Sequence, residues 1–176
     1  RRWINYSESK NGQTDFKVLS FNNKVNQFGQ KKVENYVNSF DADFVFLQEA
    51  GYQKLGNPIL QNLKFTAHNP IISFYSKYEI LESGSIPFVS NGDALYADVK
   101  IKGNKIRFVN VYLEPFQLHK SMVKPSSNID VNEEKARSLV RRFIPIFKIH
   151  QEQVEILKDF VEKSPYPVIL AGDFNS

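Results

Sequence analysis

Cysteine is absent from this 176-residue chain, and histidine, methionine and tryptophan are scarce. The absence of cysteine excludes disulfide scaffolds, cysteine-ligated zinc, iron–sulfur clusters and thiol nucleophiles. The three histidines, His68, His119 and His150, do not have the spacing of a zinc site. No run approaches the roughly 20 apolar residues that span a bilayer, and the start has no signal-peptide pattern. Because cysteine is absent and the histidines are not spaced for zinc, hard oxygen atoms are the available metal donors.

The hydrophobic content is 41%, which at this length is enough for the core of one domain covering residues 1–176. Phenylalanine and tyrosine are abundant, with 15 and 8 copies, and they occur in short runs with β-branched residues. Such runs are typical of strands that pack between sheets, so we expect a strong β component.

The net charge is +4 and the pI is about 9.1, which favours an anionic partner such as nucleic acid, a phosphoinositide or a phospholipid headgroup. The basic residues occur as scattered pairs, which is also the pattern of an ordinary solvated surface. The charge alone therefore selects no partner.

Apolar patterning predicts strands and helices in alternation. Strands are expected at 16–21 and 44–50, the second buried on both faces, with a short helix at 31–40 between them. Two short strands are expected within 71–89. The segment 94–115 reads as a β-hairpin around the turn KGNK.

The remaining segments combine loops and helices. We expect loops at 51–69 and 114–131, and a helix from 132 that Pro145 interrupts. A second helix at 149–164 carries Val154, Leu157 and Val161 on one face, and VIL then forms a last buried strand that leads into AGDFNS. The apolar residues of the 114–131 loop leave two interpretations open, contact with a membrane or inward packing.

Three apolar strands end in oxygen-bearing side chains: the first in Asn22, the second in Glu49, and the last in Asp173 and Asn175. If the strands are neighbours, these side chains meet at their carboxyl ends. Two buried carboxylates would each cost on the order of several kcal/mol unless a cation or donor offsets them, which favours Mg²⁺, with Mn²⁺ as an alternative. The alternative interpretation is of exposed acids and turn residues.

The motifs VLSFN, FVFLQE, FVNVYL and PVILAGDFN, in this order and spacing, resemble the endonuclease/exonuclease/phosphatase superfamily, which includes deoxyribonuclease-like enzymes. The resemblance runs from about residue 16 to the last residue. It implies an α+β fold, a four-layer α/β/β/α sandwich of the deoxyribonuclease-like type. It also implies a metal-dependent phosphoesterase that acts by in-line attack of water on phosphorus.

The resemblance also implies roles for individual residues. Glu49 matches the main metal ligand and Asn22 the amide beside it. Asp173 matches the acid that orients or deprotonates the attacking water, and Asn175 matches the amide that holds the phosphate. Tyr112 stands where many members have histidine, so it is either a phosphate donor or an aromatic filling the sheet; His119 is a candidate substitute.

Members of the superfamily continue past GDFN to an Asp-His pair that this sequence does not contain. We therefore expect a truncated domain, incomplete at its C-terminal end and inactive alone, whose open sheet edge favours self-association. The chain begins with Arg1, so we also expect missing upstream residues, among which a leader or membrane anchor is an option. Otherwise a soluble domain is expected.

Two further hypotheses stay open. One is a catalytically silent binding or scaffolding domain that retains the fold. The other, an unrelated α/β enzyme, is disfavoured because the sequence has no GxGxxG, GxxxxGK[ST] or GxSxG motif. The substrate also stays open among nucleic acid, a phospholipid headgroup and a soluble phosphate, because one scaffold serves all three.

Overall fold

The computed structural model describes residues 16–50, 60, 62–88, 90–116, 124 and 129–175. These residues contain eight strands and two α-helices, with a short 3-10 turn at Lys24–Asn26. In chain order the elements are β1 (Val18–Asn22), α1 (Gln30–Asn38), β2 (Phe44–Gln48), β3 (Phe65–His68), β4 (Ser73–Ser76), β5 (Ile80–Ile86), β6 (Asp93–Ile101), β7 (Asn104–Tyr112), α2 (Ile129–Glu162) and β8 (Val168–Asp173). Neither of these helices is long and apolar enough to cross a bilayer.

The strands form two four-stranded sheets, with the orders β1-β2-β4-β3 and β5-β6-β7-β8. β1 is parallel to β2, and β7 is parallel to β8, whereas the other neighbours are antiparallel. The predicted hairpin is confirmed as β6 and β7. The last strand, β8, lies in the second sheet and not beside β1 and β2, so the oxygen-bearing strand ends meet across two sheets.

Period-two alternation sorts the side chains into four layers. In β2, Phe44 and Phe46 point into the core between the sheets, while Val45 and Leu47 pack toward α1. The second sheet does the same: alternate residues of β7 face the core between the sheets, and those between them pack against α2. This is the predicted α+β sandwich of helix, sheet, sheet and helix.

Aromatic rings fill the space between the sheets. The Phe44 ring stacks on Phe108 of the opposite sheet with 4.2 Å between centroids, and Phe74 lies 5.5 Å from Phe108. Each such ring buries a large apolar area, so this cluster is the main contact between the sheets. The phenylalanine-rich runs of the sequence therefore supply the inter-sheet core.

One strand lies where the sequence predicts a loop. β3, Phe65–His68, is an edge strand in which three of four residues are exposed and only Ala67 is buried. Phe65 and Ala67 do alternate with the polar Thr66 and His68, but this repeat is short and follows a segment rich in glycine, asparagine and proline, which predicts a loop. The rest of the predicted loop at 51–69 lies largely outside the described residues, as does 117–128 of the loop predicted at 114–131. Residues 129–131 of that second loop belong to α2.

The second correction concerns α2, which runs without a break through Pro145 instead of ending there. Pro145 is exposed, so water can bind the carbonyl of Arg141 that loses its helical donor. Contacts hold the helix on both sides of Pro145, because the rings of Phe143 and Phe147 each contact Phe116. Val154 is 49% exposed and does not share the buried face of Leu157; a polar residue, Gln153, is buried there instead.

Gly172 allows β8 to approach β7 closely. Its φ is +154°, and a Cβ built on it would lie 2.0 Å from the carbonyl oxygen of Val111 and 2.7 Å from its nitrogen. Both atoms are backbone of the paired strand and cannot move aside without breaking the ladder. The glycine before Asp173 is therefore required by packing.

We predict that Gly172→Ala lowers the free energy of unfolding by at least about 2 kcal/mol more than Gly29→Ala, because only Gly172 adds overpacking to backbone strain. Gly29 is the matched control, with a positive φ of 86° and no atom within 4 Å of an added Cβ. Denaturant unfolding of the two variants measures the difference. Equal losses would show that the close approach of β8 to β7 is wrong.

Candidate active site

Four of the sequence-predicted residues meet at the carboxyl ends of strands from both sheets. The Asn22 amide donates two hydrogen bonds, to Glu49 Oε1 at 3.0 Å and to Asp173 Oδ2 at 2.7 Å. The Tyr112 hydroxyl donates to Glu49 Oε1 at 3.1 Å. Asn22 and Glu49 come from the first sheet, Tyr112 and Asp173 from the second. The crevice between the sheets is thus lined by two carboxylates, an amide and a phenol.

Asn175 supports this group from behind. Its backbone N–H donates to Asp173 Oδ1 at 3.0 Å, and its side-chain amide donates to the carbonyl of Leu113 at 2.7 Å. Both Asp173 oxygens therefore accept a hydrogen bond, one from Asn175 and one from Asn22. The carboxylate is held in one orientation.

Unusual backbone conformations are concentrated around the site. Seven described non-glycine residues have positive φ, and four of them, Lys24, Val25, Glu49 and Asn175, lie at this edge of the sheets. The Val25 N–H donates to the Glu49 carbonyl at 2.8 Å, so a backbone hydrogen bond joins two of these residues. Left-handed backbone is unfavourable by roughly 1–2 kcal/mol for residues other than glycine, and such strain is often found at functional sites.

Among the residues that the structure describes, the two carboxylates have no cationic side-chain partner. No described lysine or arginine forms an ion pair with Glu49 or Asp173; the described ion pairs all lie elsewhere. The two carboxylates instead accept hydrogen bonds from the neutral side chains of Asn22 and Tyr112. Bringing two negative charges together with neutral partners alone is unfavourable, and a cation would relieve it.

The donor set fits a hard divalent cation. In the part of the chain that is described, no group of three or more His, Cys, Asp or Glu side chains forms a metal cluster. Two carboxylates nevertheless suit Mg²⁺, which binds through one or two carboxylates and completes its shell with water and phosphate oxygens. Asn22 Oδ1 accepts the Lys24 N–H at 2.9 Å, so ligation by that oxygen requires the amide to turn over.

Tyr112 is a neutral donor over a wide pH range. Burial raises the pKa of its hydroxyl to about 12, and the negative charge of Glu49 adds to this effect, while the amide of Asn175 opposes it. Tyr112 as a whole is only 8% exposed. It can therefore donate a hydrogen bond into the crevice but supplies no charge.

A buried polar cluster beneath the site was not predicted from the sequence. Asn110 accepts a hydrogen bond from Gln48 Nε2 at 2.7 Å and donates to the carbonyls of Leu47 and Ser73 at 3.1 and 3.0 Å. A signal was present: Gln48 and Asn110 are amides at inward positions, each two residues after a core phenylalanine. The cluster joins the sheets directly behind Glu49 and Tyr112.

A second unpredicted cluster ties the end of β7 to α2. The carboxylate of Glu114 accepts hydrogen bonds from the backbone N–H and the side-chain amide of Asn91 at 2.9 and 3.1 Å. The backbone N–H of Glu114 donates to Gln153 Oε1 at 3.0 Å. The His150 ring nitrogen Nε2 lies 2.6 Å from the Glu114 carbonyl. His150 therefore has a structural contact here, whereas His119 lies outside the described residues.

The sequence profile of the endonuclease/exonuclease/phosphatase family matches residues 19–176. The chain belongs to this family. No curated protein sequence matches it significantly.

Solved structures share the fold at low sequence identity. Humanized TDP2 of D. rerio superposes with a TM-score of 0.63 at 18% identity, covering 92% of this chain and 63% of that one. A β-hairpin deletion mutant of beta toxin from Staphylococcus aureus gives 0.61 at 17%, covering 93% and 68%. Sphingomyelinase C from Streptomyces griseocarneus gives 0.62 at 17%, covering 92% and 64%. The chain therefore spans roughly two thirds of the length of these family folds.

We predict that Tyr112 titrates well above an ordinary tyrosine. The difference in tyrosinate absorbance between the wild-type chain and Tyr112→Phe should stay near zero up to about pH 10, the usual tyrosine pKa, and rise toward pH 12. Because the pKa of Tyr112 is raised in the folded state, the protonated hydroxyl contributes to stability below about pH 10. This contribution is lost as the pH rises through the folded-state pKa. A difference titration with its midpoint near 10 would contradict the buried contact with Glu49.

Proposed function

We propose that this chain is the catalytic part of a divalent-metal-dependent phosphoesterase that hydrolyses a phosphate ester by in-line attack of water. The observation that carries the proposal is the pair of hydrogen bonds from the single Asn22 amide to Glu49 and Asp173. It brings two carboxylates with no cationic partner among the described residues into one crevice. Membership of the family agrees with this chemistry.

Glu49, with Asn22 beside it, would hold Mg²⁺ or Mn²⁺ in this crevice. A bound cation would withdraw charge from the phosphoryl oxygens and stabilise the leaving oxygen. Glu49 suits the role because it directly follows β2 at the end of the first sheet, and the Asn22 amide and the Tyr112 hydroxyl both donate to its Oε1. The ligand role of Asn22 rests on the family resemblance and on the amide turning over.

The other side chains would handle water and phosphate. Asp173 would orient and deprotonate the attacking water, because its two oxygens are held in place by Asn22 and Asn175. Asn175 and Tyr112 would donate hydrogen bonds to phosphate oxygens, on which charge builds up in the transition state. For this contact the single Tyr112 O–H would turn from Glu49 to the phosphate. A phenol with a pKa of about 12 stays protonated at neutral pH and can make this contact.

The substrate class is a phosphate ester. D. rerio TDP2 was crystallised with a single-strand DNA product, and other neighbours are a sphingomyelinase and beta toxin. Nucleic acid and a phospholipid headgroup share the phosphodiester that the proposed residues would contact, with soluble phosphate esters as a third option. A synthetic phosphodiester is therefore a suitable first probe.

We predict that Glu49→Gln weakens Mn²⁺ binding at least tenfold, since even residues that support metal ligands are worth about 10- to 100-fold in affinity. Calorimetric titration of the wild-type chain, Glu49→Gln and the exposed control Glu79→Gln measures this. Glu79→Gln should bind as the wild type does. Equal affinities of Glu49→Gln and wild type would remove Glu49 as the main ligand.

We also predict unequal kinetic losses at Asp173 and Tyr112. Asp173→Asn should lower turnover by roughly 10² or more, because it removes the acid that activates water. Tyr112→Phe should lower turnover only about tenfold, because it removes one hydrogen bond. Hydrolysis of bis(p-nitrophenyl) phosphate by the longest natural protein containing this chain separates the two. Comparable losses would make Tyr112 as important as Asp173, and no metal-dependent turnover would favour a catalytically silent domain.

A further inference from the structure

The first part of α2, residues 129–149, projects past the edge of the sheets that carries the candidate site. Gln153 and His150 bond to Glu114, which lies two residues after Tyr112, so this level of the helix is the level of the crevice. α2 runs antiparallel to β8, so its residues before 150 continue outward from that level. At 1.5 Å per residue, this segment is about 30 Å long.

The projecting segment exposes an apolar stripe. Val140, Ile144 and Phe147 are 56%, 51% and 57% exposed, and their spacing of four and three residues places them on one helix face. The Phe147 ring also contacts Phe116 with 5.3 Å between centroids, so the stripe is fastened to the body of the domain along one side. We call these three residues the outer stripe.

Positive charge accompanies the outer stripe. Between positions 135 and 151 the chain has five basic residues and no acidic one: Lys135, Arg137, Arg141, Arg142 and Lys148. Arg141 and Lys148 each follow a stripe residue directly and are exposed, which places both on the same flank of the stripe. Asp130, Glu133 and Glu134 lie at the start of the segment, and Glu133 pairs with Arg137. The part with an apolar centre and a cationic border is therefore residues 138–149.

We propose that the outer stripe and its basic flank dock on an anionic lipid bilayer, with Val140, Ile144 and Phe147 in the headgroup region and Arg141 and Lys148 on lipid phosphates. A helix with exposed apolar residues beside lysine and arginine is the form that lies in a membrane interface. Nucleic acid fits less well, because Val140 and Ile144 can neither stack on bases nor bond phosphates. The inference goes beyond the proposed function, since it concerns binding and requires no turnover.

Docking in this orientation has a geometric consequence. The segment ends, at residue 149, at the level of the crevice, so a bilayer bound along the outer stripe would lie at the end of the sheets that carries Glu49 and Asp173. Lipid phosphates would then be close to the crevice. The surface and the crevice are nevertheless separate groups of residues, and each can be changed without the other.

Vesicle flotation tests the proposal, using phosphatidylcholine vesicles with and without phosphatidylserine. The wild-type chain should float with the anionic vesicles at low salt, and raising the salt should weaken binding. Arg141→Glu with Lys148→Glu should reduce affinity by at least about 25-fold, taking roughly fivefold for each cation near the surface. Ile144→Ser with Phe147→Ser should reduce it at least tenfold at unchanged charge.

Matched controls separate docking from general effects. Lys64→Glu with Lys100→Glu makes the same charge change at the opposite end of the sheets, and Leu81→Ser removes an exposed apolar side chain there; both should float as the wild type does. Far-ultraviolet circular dichroism checks that all variants fold. Glu49→Gln should bind vesicles normally, which distinguishes a failure of this proposal from a failure of the proposed metal site.

Three outcomes would overturn the proposal. The first is absence of binding to anionic vesicles by the folded wild-type chain. The second is binding of a single-stranded oligonucleotide, by fluorescence anisotropy, that the Arg141→Glu, Lys148→Glu variant loses while vesicle binding is unchanged. The third is self-association by light scattering that the stripe variants abolish, because a second copy and not lipid would then cover the stripe.

Discussion

The hydrogen bond between Gln48 and Asn110 joins the two sheets directly beneath the site, and the rest of the arrangement depends on it. Both side chains are buried, at 1% and 0% exposure, and the Asn110 amide also bonds to the carbonyls of Leu47 and Ser73. A buried amide that loses such a partner costs about 1–3 kcal/mol, so alternative positions of the sheets are disfavoured. Aromatic packing holds the sheets together, but this directional bond fixes where their ends meet.

The position of the sheet ends determines the chemistry of the crevice. Glu49 directly follows Gln48, and Tyr112 lies two residues after Asn110, so a shift of one sheet would separate the hydroxyl from the carboxylate. Gly172 lets β8 come close enough to bring Asp173 to the same point. Asn22 then bridges the two carboxylates. Each of these contacts is short and directional, as the proposed orientation of water and phosphate requires.

Local sequence patterns predict much of this structure because the signals for strands and for the strand-end residues lie within short stretches of the chain. Asn22, Glu49 and Asp173 each end an apolar strand, and period-two alternation assigns the layers. β3 differs from the prediction because its apolar alternation is short and follows a loop-like segment, and α2 continues through Pro145 because packing around Phe116 outweighs helix propensity. The roles of Asn110 and Glu114 depend on partners 23 to 63 residues away along the chain, which no local pattern encodes.

Glu49, with Asn22 beside it, is proposed to hold a divalent cation next to Asp173, and phosphate is proposed to bind beside that cation. Anomalous X-ray scattering from crystals grown with Mn²⁺ and inorganic phosphate tests it most directly. The account predicts an anomalous peak within coordination distance of a Glu49 oxygen, with phosphate beside it in reach of Asn175 or Tyr112. Mn²⁺ bound away from Glu49, or phosphate in the crevice with no metal at saturating Mn²⁺, would contradict it.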